Sequence, residues 1–91
     1  MNQNRMDLSV IEAEMLARAA DCEPGKTFCP SEVARAVAGQ APDAWGAAMV
    51  PVRRVAVKLA LEGRLVIHRK GKPADPLDFK GVYRLAPPRL D

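Results

Sequence analysis

Apolar residues recur at three- and four-residue intervals over roughly the first sixty positions of the chain, and after residue 64 the interval shortens to two. Leu8, Ile11, Met15 and Ala19, flanked by Leu16, form the first stripe and predict a helix from residue 8 to residue 21. Ser9 with Glu12 has the form of a capping box at its start, Asp7 is a competing cap, and Glu23-Pro24-Gly25 marks its end. Lys26-Thr27-Phe28 reads as a short linker able to form one extended edge. Cys29-Pro30-Ser31-Glu32 opens a second helix, with a small polar cap, proline where its missing N–H costs nothing, and Glu three residues on. Val33, Val37 and the intervening alanines give it a short apolar face that stops at Gly39, a good left-handed terminator.

Gln40-Ala41-Pro42 leads into a third helical stretch, which from its cap at Asp43 to Glu62 reads as one long helix or two abutting ones. Trp45, Ala48, Met49, Val52, Ala56 and Leu59 form its buried stripe, with Val55 alongside. Pro51 lacks an N–H and biases Val50 away from helical geometry, so a break or kink is predicted there. Beyond Gly63, residues 65–69 and 81–85 read as two antiparallel strands joined by a long basic loop that holds Gly71, Pro73 and Pro76. Pro87-Pro88 closes the unit, and residues 1–7 and 87–91 are expected to be flexible tails.

A chain of 91 residues has room for one domain and one core, and 48% hydrophobic with 27% charged residues is a globular composition. Its aromatic residues are Phe28, Trp45, Phe79 and Tyr83, so alanine, valine and leucine must fill the core, which favours closely packed helices. Ile11, Met15, Trp45, Met49, Val52 and Leu59 are the expected centre. The order helix, extended piece, helix, turn, helix, strand, loop, strand predicts an α+β winged helix: a three-helix core with a small antiparallel β-hairpin wing.

Several sequence pieces carry a resemblance. They are Cys29-Pro30-Ser31-Glu32-Val33-Ala34; Trp45 with Met49-Val50-Pro51-Val52-Arg53; Glu62-Gly63; Arg69-Lys70-Gly71-Lys72 with Asp75-Pro76; and Gly81-Val82-Tyr83-Arg84-Leu85. Over residues 8–86 the chain resembles a family of short bacterial proteins, a domain of unknown function with a winged-helix-like form. The resemblance implies the fold and brings no activity with it.

Charge changes the picture most. Residues 1–50 carry four Lys/Arg against seven Asp/Glu, and residues 51–91 carry ten against four, so a net charge of +3 divides into about −3 followed by +6. A polyanion is the partner this suggests. In a winged helix the third helix enters the major groove and the wing lies along the backbone, so Arg53, Arg54 and Lys58, expected to point outward, and Lys70, Lys72 and Lys80 on the wing, with Arg69 and Arg84 at its base, are the candidate nucleic-acid contacts. After Asp43 this helix offers no Asn, Gln, Ser or Thr to read a base, so backbone contact to double-stranded DNA is expected, as in a simple transcriptional regulator. The alternative is a protein–protein interaction module using Val57, Leu61 and the alanine-rich first helix. Basic residues on an exposed face can also simply be solvated.

Other chemistry has weaker support. Cys29 at a helix start could be a redox thiol with Cys22, or merely a small cap residue. Two cysteines and the lone His68 do not make a zinc site, and no Ser/His/Asp order or phosphate-binding glycine loop is present, so neither catalysis, metal nor cofactor is expected. Asp75 and Asp78, set among prolines, are read as turn formers, with Arg84 able to reach Asp75. Without a signal peptide or an apolar run of bilayer length, a cytoplasmic protein is expected, with no membrane partner and a monomer by default, although the first helix could pair with itself.

Overall fold

Asp7 caps the first helix: its Oδ1 accepts from the backbone N–H of Ser9 at 2.9 Å and from the Ser9 hydroxyl at 2.7 Å. These bonds hold the Asp7 carboxyl below the usual carboxylate range. The expected Ser9–Glu12 box does not form, because the aspartate two residues earlier takes the amide and frees Glu12 for other partners. A computed structural model describes residues 7–88. Helix α1 spans Leu8–Asp21, α2 Pro30–Ala38 and α3 Pro42–Leu61, followed by strands β1 (Val66–Arg69), β2 (Lys72–Pro73) and β3 (Arg84–Ala86). Of the tails expected at 1–7 and 87–91, residues 1–6 and 89–91 lie outside the described residues, while Pro87 and Pro88 are half-buried.

Helix α2 starts at Pro30, as its sequence requires. The Cys29 N–H donates to Glu32 Oε2 at 3.2 Å, while Glu32 Oε1 accepts from Arg18 Nη1 at 3.1 Å. Arg18 also holds Glu14 at 2.7 Å, so one carboxylate caps α2 and ties it to α1. Helix α3 starts earlier than expected and, of one long helix or two abutting ones, is the former, without the break expected at Pro51. Its N-cap is Ala41 with Pro42 in the first turn, which leaves Asp43 inside the helix. Proline removes one hydrogen bond, to the carbonyl of Ala47; that residue is on the exposed side, where water can satisfy the group.

The second half of the fold is a three-stranded antiparallel sheet in the order β2-β1-β3. The long loop expected after residue 69 is instead a tight hairpin: Arg69 pairs with Lys72, and Lys70 and Gly71 turn between them with φ of 53° and 80°. Positive φ at both central residues is the requirement of a type I′ turn, whose twist matches that of the strands. Chain segment 74–83 then crosses to the other side of β1, where β3 pairs with it. Phe28 adds the expected extended edge, exchanging two backbone hydrogen bonds with Leu85 at 2.8 and 2.9 Å. The architecture is that of a winged helix.

Ile11, Met15, Val52 and Leu59 are fully buried with Val33, Leu65, Ile67 and Leu85. Trp45 and Met49, expected at the centre, are only partly buried against this cluster. Trp45 lies in the first turn of α3, at the margin of the bundle, and the Arg35 guanidinium of α2 covers its ring at 4.5 Å. Asp75 forms the expected turn, its Oδ1 accepting from the Leu77 N–H at 2.9 Å.

Tyr83 is 7% exposed, and its hydroxyl has no hydrogen-bond partner among the described residues. Burial pushes its pKa up from 10.0 to about 12, with the Arg53 guanidinium acting in the opposite sense. Below pH 10 the phenol is neutral whether the chain is folded or unfolded; above it the unfolded chain ionises first. The associated stability is therefore complete below about pH 10 and is lost as pH rises through about 12, at roughly 1.4 kcal/mol per pH unit within that window. Tyr83→Phe is expected to remove this contribution to the alkaline slope and, by deleting an unpaired buried hydroxyl, to stabilise the fold by about 1 kcal/mol at neutral pH. Urea unfolding of both proteins at pH 7 and pH 11 checks this. Identical pH slopes would contradict it.

Candidate nucleic-acid interface

The eight basic residues singled out from the sequence fall into two groups of opposite character. Arg53, expected to face outward from α3, turns across the returning chain. Its Nη2 donates to the Phe79 carbonyl oxygen at 2.7 Å, and its guanidinium carbon lies 3.9 Å from the centre of the Phe79 ring and 5.8 Å from that of Tyr83. Phe79 and Tyr83 themselves meet edge to face at 5.2 Å. Arg53 is thus the pin that fixes segment 74–83 to α3, and a planar cation suits this role because it stacks and donates at the same time.

Arg69 does the equivalent from the sheet. Its Nη1 donates to the Val82 carbonyl at 2.6 Å, and the guanidinium lies across Gly81, where an added Cβ would approach Nη1 to 3.3 Å. Gly81 also has φ of +83°, a conformation that strains any other residue, and an added Cβ would in addition press on the Arg69 guanidinium. Arg84, which the sequence allowed to reach Asp75, instead binds Thr27, through Nε to Oγ1 at 2.7 Å and Nη2 to the carbonyl at 3.1 Å. Three arginines therefore each hold a main-chain carbonyl, at Phe79, Val82 and Thr27.

Lys58 is also occupied. Its Nζ lies 2.6 Å from Glu12 Oε1 and 3.8 Å from Glu62, and Arg64 reaches the same two carboxylates at 3.4 and 3.3 Å. The hydrogen bond between Lys58 and Glu12 lowers the carboxyl pKa and raises that of the ammonium, so both keep their charges. This cluster joins the start of α1 to the end of α3, and it cancels charge that a linear count assigns to the basic half.

The remaining four candidates, Arg54, Lys70, Lys72 and Lys80, are exposed, and among the described residues none is salt-bridged. Arg54 adjoins the Arg53 pin on α3. Lys80 stands between the two clamped carbonyls, and Lys70 and Lys72 form the hairpin tip. The exposed part of the N-terminal half of α3 presents Asp43, Ala44, Ala47 and Val50, which offer no donor to a base edge.

Residues 9–88 match a family model described as "Protein of unknown function (DUF3253)". The chain belongs to this family. The match runs from the first turn of α1 past the end of β3, so the DUF3253 unit includes both the helical core and the clamped wing. No curated protein matches the sequence. Among the described residues, no group of three or more His, Cys, Asp or Glu is placed to hold a metal ion, and no helix is long and apolar enough to cross a membrane.

The two groups of cations should respond differently to substitution. Arg53→Ala removes a charged hydrogen bond and a stacked cation and is expected to cost about 2–3 kcal/mol, with Arg53→Lys recovering less than half of it. Arg54→Ala, one residue away, should stay within about 0.5 kcal/mol of the parent. Denaturant titration of the three variants provides the comparison, and equal losses at positions 53 and 54 would refute the assignment.

Proposed function

We propose that this protein binds nucleic acid, most simply double-stranded DNA, through Arg54, Lys70, Lys72 and Lys80, with phosphates as the atoms contacted. The observation carrying this reading is that these four cations are exposed on α3, the hairpin tip and the wing and have no salt-bridge partner among the described residues, while the carboxylates Glu12 and Glu62 are taken up by Lys58 and Arg64. Immobilising segment 74–83 by two arginines supports it further, because a lysine held on a fixed wing loses less freedom when it meets a phosphate. The apolar face of α3 supports backbone contact without sequence discrimination, as would suit a structural or weakly selective DNA-binding protein.

A second reading rests on different side chains. Val50, Leu77 and Val82 are 68%, 74% and 82% exposed, and two of them belong to the clamped segment. A protein partner covering these side chains would bind by desolvation and would be little affected by salt.

Four phosphate contacts give a log–log salt dependence of duplex affinity with a slope of about −3 to −4. Fluorescence anisotropy with a labelled duplex at several salt concentrations measures it. Lys70→Ala and Lys80→Ala should each reduce the slope by about 1, whichever duplex sequence is used. Absence of binding at low salt, or a slope near zero, would remove the nucleic-acid reading.

A further inference from the structure

The sheet turns Ile67 and Leu85 inward to the helices and leaves a different row on its outer face. The register sets His68 of β1 opposite Arg84 of β3 on one side and Pro73 of β2 on the other. Arg84 in turn reaches Thr27. Two cavities of about 740 and 310 Å³ open beside this row and share Thr27, His68 and Gly71, so they are two halves of one groove with His68 between them.

The two halves differ in chemistry. The larger is walled by Pro24, Pro73, Pro87 and Pro88 with Lys26 at its side, and the smaller by Arg69, Lys70 and Arg84. Among the described residues, no Asp or Glu lines either half. Thr27 engages two nitrogens of the Arg84 guanidinium, and the rest of its donor fork remains available. Rigid apolar walls at one end and several cations without a carboxylate at the other are complementary to a molecule with an apolar, flat body and an anionic head. The groove volume is in the range of small-molecule sites.

We propose that this groove is a binding site for a small organic anion, whose ring lies against the prolines and whose phosphate or carboxylate meets His68 and Arg84. The site is on the sheet face opposite the helices, separate from the exposed side of α3, and stands whether or not the protein binds DNA. It shares only the hairpin residue Lys70 with the nucleic-acid surface.

The test is a titration of the isotope-labelled protein with adenosine monophosphate and with anilinonaphthalene sulfonate, two aromatic anions of different shape, read as amide shifts. Saturable shifts at Thr27, His68, Gly71 and Arg84 are expected with at least one of them. Adenosine, lacking the phosphate, should bind at least about tenfold more weakly than its monophosphate if the latter binds. Lys26→Glu at an exposed position and His68→Glu should each weaken the anion about tenfold while leaving amides of the helical core unmoved. The proposal is overturned if neither anion shifts these amides at millimolar concentration, if the uncharged nucleoside binds as well as its monophosphate, or if the shifts centre on Arg54 and Lys80. The last result would place the anions on the nucleic-acid surface and leave the groove empty.

Discussion

The wing of this fold has its place because one guanidinium does two things at once. Arg53 bonds the Phe79 carbonyl and sits over the Phe79 ring at 3.9 Å, and the ring packs edge-on to Tyr83 just before β3. Segment 74–83 contains no regular strand or helix, so backbone pairing alone would leave most of it unattached. Arg53 from the helix and Arg69 from the sheet fasten it at positions 79 and 82. Everything proposed for Lys80, Leu77 and Val82 depends on that attachment.

A division of labour between arginine and lysine follows. Arginine loses less hydration than lysine when partly buried and presents a planar fork, which makes it the better partner for a carbonyl next to an aromatic ring. Arg53 serves in this way, and Arg69 and Arg84 each hold a carbonyl as well, whereas Lys70, Lys72 and Lys80 make no side-chain hydrogen bond or salt bridge among the described residues. The charge division of the sequence is real, but about half of the candidate cations are part of the scaffold. The acidic N-terminal half supplies some of the compensation, since Glu12 pairs with both Lys58 and Arg64.

The helices were legible because their signals are local: an apolar stripe, a proline at the first turn, a glycine after the last. The cap of α1 was ambiguous because Asp7 and Ser9 both offer suitable acceptors; Asp7 accepts from both the Ser9 amide and the Ser9 hydroxyl and so draws serine into the helix. The hairpin at Lys70 and Gly71 was obscured by Pro73, which argues against a strand; β2 is an edge strand, where a missing N–H is tolerated. The role of Arg53 was not legible at all. Its position off the α3 seam suggested exposure, and nothing in the helical period reveals that a chain 26 residues later returns to cover it. The same holds for Lys58 and Glu12, which are 46 residues apart. The groove around His68 likewise required the strand register, which brings together residues from both ends of the chain.

Amide hydrogen exchange on the Arg53→Ala protein tests the central claim, that Arg53 holds the wing in place. Protection at Asp78 and neighbouring amides of segment 74–83 is expected to fall by more than the overall loss of stability explains, while the Phe28 and Leu85 N–H groups, each donating to the other residue's carbonyl across the sheet, follow global stability. Protection that declines uniformly through the wing and the sheet, or does not change at Asp78, would contradict it.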